Sequence, residues 1–224
     1  MPRLLDDAAL ERSSVVANNA MNRERHLDGV NSYTRELGFH PLDVAGSSWL
    51  DLCCGSGNAL LEAAAELRRR GDTRSISIVG VDLVDAFSPG TGTSTDPVEL
   101  HQSSIVDWAP ARRYTLITCL HGLHYVGDKL GVLSRASSWL APGGRLVADL
   151  DLASIRLPDG RPAGRRLATR MRAAGFSYDA RRHRISRLGP ATVNLPYVYQ
   201  GADDHAGPNY TGQPAVDSYY APQD

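Results

Sequence analysis

The chain has 224 residues, 42% of them hydrophobic and 22% charged, with a formal net charge of −1 at pH 7. That is the length of one large domain with a real core and an ordinary globular composition. The near-zero charge supplies no global field toward nucleic acid or a membrane surface, and no run approaches the roughly 20 apolar residues of a membrane-spanning helix.

Residues 1–46 read as polar and helical. Val15, Val16 and Ala20 supply a short apolar stripe, and Ser32-Tyr33-Thr34-Arg35-Glu36-Leu37-Gly38 is a short helix stopped by glycine. Between them lies Asn18-Asn19-Ala20-Met21-Asn22-Arg23-Glu24-Arg25-His26, dense in amides and guanidiniums, either a solvated face or the lining of a pocket. Met1-Pro2-Arg3-Leu4-Leu5 meets Asp6-Asp7 before an apolar run forms, so no signal peptide is read. The three cysteines, Cys53, Cys54 and Cys119, have no metal-ligand spacing. Together these favour a cytoplasmic protein with reduced thiols.

The first strand is Ser48–Leu52. A small-residue turn follows, then a helix from about Asn58 to Arg70, with Leu60, Ala64 and Leu67 on one face, Leu61 and Ala65 widening it, and Arg68-Arg69-Arg70 at its negative end. A second strand spans Ser75–Val81 and a turn-rich loop Ser88–Ser94; a short third strand covers Val98–His101. The fourth, Tyr114–Cys119, is a nearly continuous apolar run of the kind covered on both faces. A helix capped by Asp128 carries Leu130, Leu133 and Leu140, and Pro142-Gly143-Gly144 turns the chain into a fifth strand, Arg145–Leu150. An Arg-rich helix over Ala163–Ala174 ends at Gly175. Two antiparallel strands, Phe176–Ile185 and Thr192–Tyr199, are read around a turn at Leu188-Gly189-Pro190, and residues 201–224 as a loop or ordered tail. The expected architecture is a three-layer α/β/α, doubly wound, mostly parallel seven-stranded sheet with a C-terminal antiparallel hairpin.

Two carboxylates point to a ligand. In Asp51-Leu52-Cys53-Cys54-Gly55-Ser56-Gly57-Asn58 the glycines let backbone approach a bound group, and the following helix aims its free N–H groups at it. Asp51 inside that turn would repel a pyrophosphate and suits a cation such as an ammonium group. Asp82, ending Gly80-Val81-Asp82, stands where a carboxylate can accept hydrogen bonds from ribose hydroxyls.

These features resemble the class I S-adenosylmethionine-dependent methyltransferases, a Rossmann-like family. Asp51–Gly57 matches its first motif, departing at Cys53 where a glycine is expected. Gly80-Val81-Asp82 is similar to the second motif, Leu116–Val126 to the fourth strand and its exit loop, and Leu140–Leu146 to the turn before the fifth strand. The resemblance spans about residues 45–200. It implies S-adenosyl-L-methionine as cofactor, with Asp51 receiving its amino group, Cys53, Gly55 and Gly57 against it, and Asp82 and Leu83 at the ribose. Ser104 aligns with the acid that often reads the adenine amino group, Asp107 being the alternative, with Ile105 as the ring contact and Cys119 and Leu120 beside the methionine part. It also implies three parts of one domain: a helical cover (1–46), a cofactor-binding core (47–200) and a tail (201–224).

His121 and His124 just past the fourth strand, with Tyr125 and with Asp149 leaving the fifth, start where open α/β sheets bind ligands. Either histidine is a candidate general base, or a group that merely packs the loop. No metal site is expected. The pocket cover is expected from the N-terminal helices, with Asn18, Asn22, Arg23 and Tyr33 as pocket residues. Asn194-Leu195-Pro196-Tyr197 mimics the amine-gripping motif of adenine methyltransferases but lies outside the matching chain order. It is read as strand, with a bulge at Pro196. The expected activity is methyl transfer to an oxygen, nitrogen or carbon of a small molecule, without nucleic acid or membrane partners. The alternatives are RNA or protein as acceptor, suggested by Arg165-Arg166 and Arg181-Arg182-His183-Arg184, and a non-catalytic cofactor-binding regulator.

Overall fold

The structure is a computed structural model that describes residues 2–20, 24–71, 76–88 and 98–223, with the side chains of residues 18–20 outside that description. At the N-terminus, helices α1 (Asp7–Glu11) and α2 (Ser14–Ala20) precede α3 (Tyr33–Leu37) and α4 (Pro41–Val44). Local chemistry sets α3: the Ser32 hydroxyl oxygen accepts from Arg35 N, and Gly38 at φ 77° closes the last turn in the left-handed region.

The alternating units follow as β1 (Ser48–Leu52), α5 (Asn58–Arg70), β2 (Ser77–Asp82), β3 (Val98–Gln102), β4 (Tyr114–Cys119), α6 (Lys129–Ser138) and β5 (Leu140–Asp149). A two-residue strand β6 (Ile155–Arg156) leads to α7 (Gly164–Ala173), β7 (Phe176–Asp179) and β8 (Arg184–Leu188), then β9 (Tyr197–Asp203) and β10 (Asp217–Pro222). The main sheet has the seven, mostly parallel strands expected, in the order β3-β2-β1-β4-β5-β8-β7. The first five pair in parallel and β8 runs antiparallel to both β5 and β7. Strand order reverses between β1 and β4, so the crevice beyond their carboxyl ends is the natural ligand position.

Side-chain alternation builds the layers. Leu50, Leu52, Val79, Val81, Ile117, Leu146 and Ala148 face one core with Leu130 and Leu133 of α6 and Leu167 and Met171 of α7. Trp49, Ile78, Val98, Leu116 and Val147 face the other, against Leu37, Leu42, Leu60, Ala63 and Leu67. Gly80 allows the close approach of α5, since a Cβ there would lie 2.6 Å from Leu60 and 2.8 Å from the Cys54 sulfur.

The C-terminal third departs from expectation. The hairpin is β7–β8, turning through residues 180–183 rather than at Leu188-Gly189-Pro190. Residues 192–196 are not strand, and Pro196 precedes β9 instead of bulging one. The reading of 201–224 as loop or tail also changes: β9 and β10 pair antiparallel and, with β6, form a second, three-stranded sheet. The fully buried Lys129 latches that sheet to the core, donating to Val216 O (2.7 Å) and Ser218 Oγ (2.6 Å). Tyr220 OH adds a bond to Asp128 Oδ1 (3.0 Å). Among the described residues, no helix is long and apolar enough to cross a membrane.

Candidate active site

A cavity opens at the carboxyl ends of β1 to β4. Its floor and walls are Cys53, Asp82, Leu83, Ser104, Ile105, Val106, Gly122, Tyr125, Val126 and Gly127, and α1 and α2 roof it with Asp7, Leu10, Glu11 and Val16. Leu10 and Val16 are buried against Tyr125, Ala202 and Val216, which fixes that roof.

The expected carboxylates anchor the turn. Asp82 is buried; its Oδ2 accepts from Gly55 N at 2.8 Å and its Oδ1 from Val84 N at 3.2 Å. Asp51, opposite Thr118 in the β1–β4 register, accepts from the hydroxyls of Thr118 and Tyr33, each at 2.5 Å. Trp49 Nε1 donates to Thr118 Oγ1 and packs edge-on against Tyr33, so this network joins β1, β4 and α3. Burial drives the Asp51 carboxyl up to about 7, against the two hydroxyl donors that lower it.

Cys53 sits at φ 61°, which explains why its motif position favours glycine. A non-glycine residue held there is strained by about 1–2 kcal/mol. Gly122 makes room for it: a Cβ on Gly122 would lie 2.5 Å from Cys53 Cβ and 2.9 Å from Cys119 Sγ. His121 (φ 58°) and His183 (φ 49°) are the other positive-φ, non-glycine residues among those described. All three lie at this edge of the sheet, where backbone strain commonly marks a working site.

Past β4, His121 Nε2 is 2.8 Å from Glu36 Oε2 and 3.4 Å from Asp149 Oδ2. Arg25 pairs with Glu36, and Arg184 grips Asp149 Oδ1 through Nε (3.0 Å) and Nη2 (2.9 Å) while also bonding the Glu36 carbonyl oxygen. Burial works to raise Glu36, but the His121 hydrogen bond and charge, with Arg25, hold it below its ordinary range. In the neutral ring, Nε2–H donates to Glu36 and Nδ1 is the atom left to take a proton. His124 is buried, its ring 5.8 Å from that of His121.

The cavity therefore gathers Cys53, Asp82, Leu83, Ser104, Ile105 and Tyr125 from the expected set. Gly55 meets it through the Asp82 bond, and Gly57, at φ 77°, caps α5. Cys119 and Leu120 are buried at the end of β4 and do not line it. Tyr33 is fully enclosed as the partner of Asp51 rather than exposed in the roof. Asn22 and Arg23 lie outside the described residues, as does the side chain of Asn18; the loop expected over 88–94 falls mostly in the undescribed stretch 89–97.

Several residues escaped the sequence. Ser104 Oγ donates to Glu11 Oε1 at 2.5 Å, so the carboxylate at that corner comes from α1. Glu36 was legible as part of a helix but not as the partner of His121. Arg184 looked like part of a basic cluster, yet its side chain is spent on Asp149 and Glu36, which weakens the case for a polyanionic acceptor.

A family model described as a methyltransferase domain matches residues 21–190. The ubiquinone biosynthesis O-methyltransferase of Burkholderia ambifaria (strain MC40-6) is 27% identical over 101 residues, covering 45% of this chain and 43% of that protein. The chain thus spans less than half the length of the curated relatives it matches. Among solved structures, the N-methyltransferase NodS from Bradyrhizobium japonicum WM9, in complex with S-adenosyl-l-homocysteine, is similar with a TM-score of 0.46 and 15% identity, covering 84% of this chain and 94% of that one. The sugar N-methyltransferase KedS8 from Streptoalloteichus sp ATCC 53650 has a TM-score of 0.39 and 21% identity, covering 66% and 54%.

Proposed function

The chain belongs to the methyltransferase-domain family, and we propose that it transfers a methyl group from S-adenosyl-L-methionine to an oxygen, nitrogen or carbon of a small molecule. The observation that carries this reading is the cavity itself: a buried carboxylate at the end of β2, tied to the glycine turn, beside apolar walls from Leu83, Ile105 and Val106. Those residues fit an adenosyl group. Asp82 has acceptor capacity for ribose hydroxyls, the apolar walls suit a base, and Glu11 with Ser104 offers acceptors for an exocyclic amine. Asp51, buried behind the turn, is the counter-charge for an amino group.

When bound, the cofactor supplies an electrophilic methyl carbon, whose bond to the nucleophile forms as its bond to sulfur breaks with the electron pair left on sulfur. The protein's task is then alignment and water exclusion. The roof of α1 and α2 performs the second. His121 holds its ring between Glu36 and Asp149 and takes the acceptor's proton on Nδ1, a contribution of about 10²–10⁴-fold in rate for a general base.

The test is transfer of a trideuterated methyl group from labelled cofactor to small molecules of a cell extract, read by mass spectrometry. A labelled small molecule formed only with active protein is expected. Label confined to RNA or protein, or no transfer by a protein that binds the cofactor, would overturn the reading.

A further inference from the structure

The connection between β9 and β10 places Tyr210 against His183 and His124, next to the group around His121. The Tyr210 ring stacks on His183, centroids 3.9 Å apart and planes 8° from parallel. It meets His124 edge-on at 5.3 Å and 73°. His124 in turn neighbours His121, the candidate base. The charges bearing on the Tyr210 phenol are Asp149, Arg184, Glu36 and Asp151. Two of those four, Glu36 and Asp149, flank His121, and Arg184 bonds both of them. A planar ring with a hydroxyl thus already lies in a slot of two imidazoles, facing the groups that would handle an acceptor's proton.

We propose that the slot between His124 and His183 is the ring subsite for a planar aromatic acceptor bearing a hydroxyl group, and that Tyr210 is its removable plug. The proposal rests on the methyltransferase reading and narrows it. Stacking and edge contacts of this kind reward flat rings and not saturated ones. The carboxylates of Glu36, Asp149 and Asp151 favour a hydroxyl donor and disfavour an anionic substituent at that end. The plug is built to leave. Tyr210 is 40% exposed. Much of the loop's backbone bonding is internal: Asn209 N to Gln213 O, Gly212 N to Asn209 O and Ala215 N to Gly207 O. Its base is fixed by Val216 N to His124 O, and Gln213 Oε1 accepts from Tyr125 OH at 3.2 Å, so the tip lifts by giving up that side-chain bond and the ring contacts of Tyr210, without opening the sheet. A closed plug reduces apparent acceptor affinity by the fraction of protein that is open.

The probes are p-cresol, the tyrosine side chain itself, and 4-methylcyclohexanol, its saturated counterpart, titrated calorimetrically into the full chain with and without S-adenosylhomocysteine. Tyr210→Ala should bind p-cresol at least tenfold more tightly than the natural protein and at least tenfold more tightly than it binds 4-methylcyclohexanol. Tyr210→Phe, which keeps the plug, should match the natural protein, and adding His183→Ala to Tyr210→Ala should cost at least fivefold. With S-adenosylmethionine, Tyr210→Ala should convert p-cresol to 4-methylanisole, the methyl–sulfur bond breaking as the methyl–oxygen bond forms and the phenol proton passing to His121 Nδ1 and from there to solvent. Equal binding by the natural protein and Tyr210→Ala, no preference for the flat ring, or bound p-cresol that is never O-methylated (a filled void only) would overturn the proposal. Label transfer to an aliphatic acceptor alone would overturn the slot and keep the methyltransferase reading; failure to bind S-adenosylhomocysteine would overturn that reading itself.

Discussion

The two ends of the site are built differently. The end at β1, β2 and β3 is made from contiguous motifs: Asp51, Cys53 and Gly55 fall within one turn, and Asp82 closes the next strand. The end at β4, β5 and β8 is assembled from distant pieces. Glu36 lies 85 residues from His121, and Arg184 lies 35 from Asp149. At the first end Asp82 is held by the backbone N–H groups of Gly55 and Val84 and Asp51 by two neutral hydroxyls, whereas the second end is a set of ion pairs between charged side chains. The first end can be read from local motifs because its groups are close in the chain; the second needs the fold to bring its groups together.

The sharpest way to break this contrast is a change confined to the second end. His121→Asn should lower kcat by about 10²-fold or more while leaving S-adenosylhomocysteine affinity within about threefold, measured by steady-state kinetics and calorimetry. Equal losses in both would mean that the two ends are one site. A smaller effect tests their junction. Gly122→Ala drives a methyl group into Cys53 and should destabilise the fold by about 1–3 kcal/mol, seen as a lower Tm. Cys53→Gly should recover part of that loss in the double variant, and simple additivity of the two changes would contradict the coupling.

The smallest expected effect is in pH dependence. Near pH 7 the free protein holds Asp51 partly protonated, since its carboxyl is raised from 3.8 to about 7. A bound ammonium group favours the carboxylate, so binding expels a proton, and affinity falls as pH drops below about 7. Calorimetry of S-adenosylhomocysteine in buffers of different ionisation enthalpy should detect that proton, and Asp51→Asn should abolish it.

The contrast also explains what the sequence disclosed. β1 and β4 were legible to the residue because each is a short, nearly continuous apolar run covered on both faces, and α5 because its helical period starts after Gly57 and ends in Arg68-Arg69-Arg70 before Gly71. Asp51 and Asp82 stood out because local motifs contain them. Glu11 and Glu36 did not, because short polar helices look alike whether they face water or a site. The C-terminal third was misread for a related reason: Leu188-Gly189-Pro190 is a strong turn signal, but strand β8 ends there and pairs backward with β5 and β7, a choice made by tertiary packing. The alternation over residues 193–199 was real at Tyr197 and Tyr199, yet it serves a second sheet whose partner, β10, lay in a Gly- and Pro-rich segment without a clear period.

Asp82 is the proposed ribose anchor on which the S-adenosylmethionine site depends. Its most direct test is calorimetric titration of S-adenosylhomocysteine into the natural protein and into Asp82→Ala. One-to-one binding to the natural protein and a loss of at least about 30-fold in the variant are expected, about 2 kcal/mol, within the roughly 1.5–3 kcal/mol of a hydrogen bond to a charged group. Equal affinity in both proteins, or no binding to the natural protein, would contradict it.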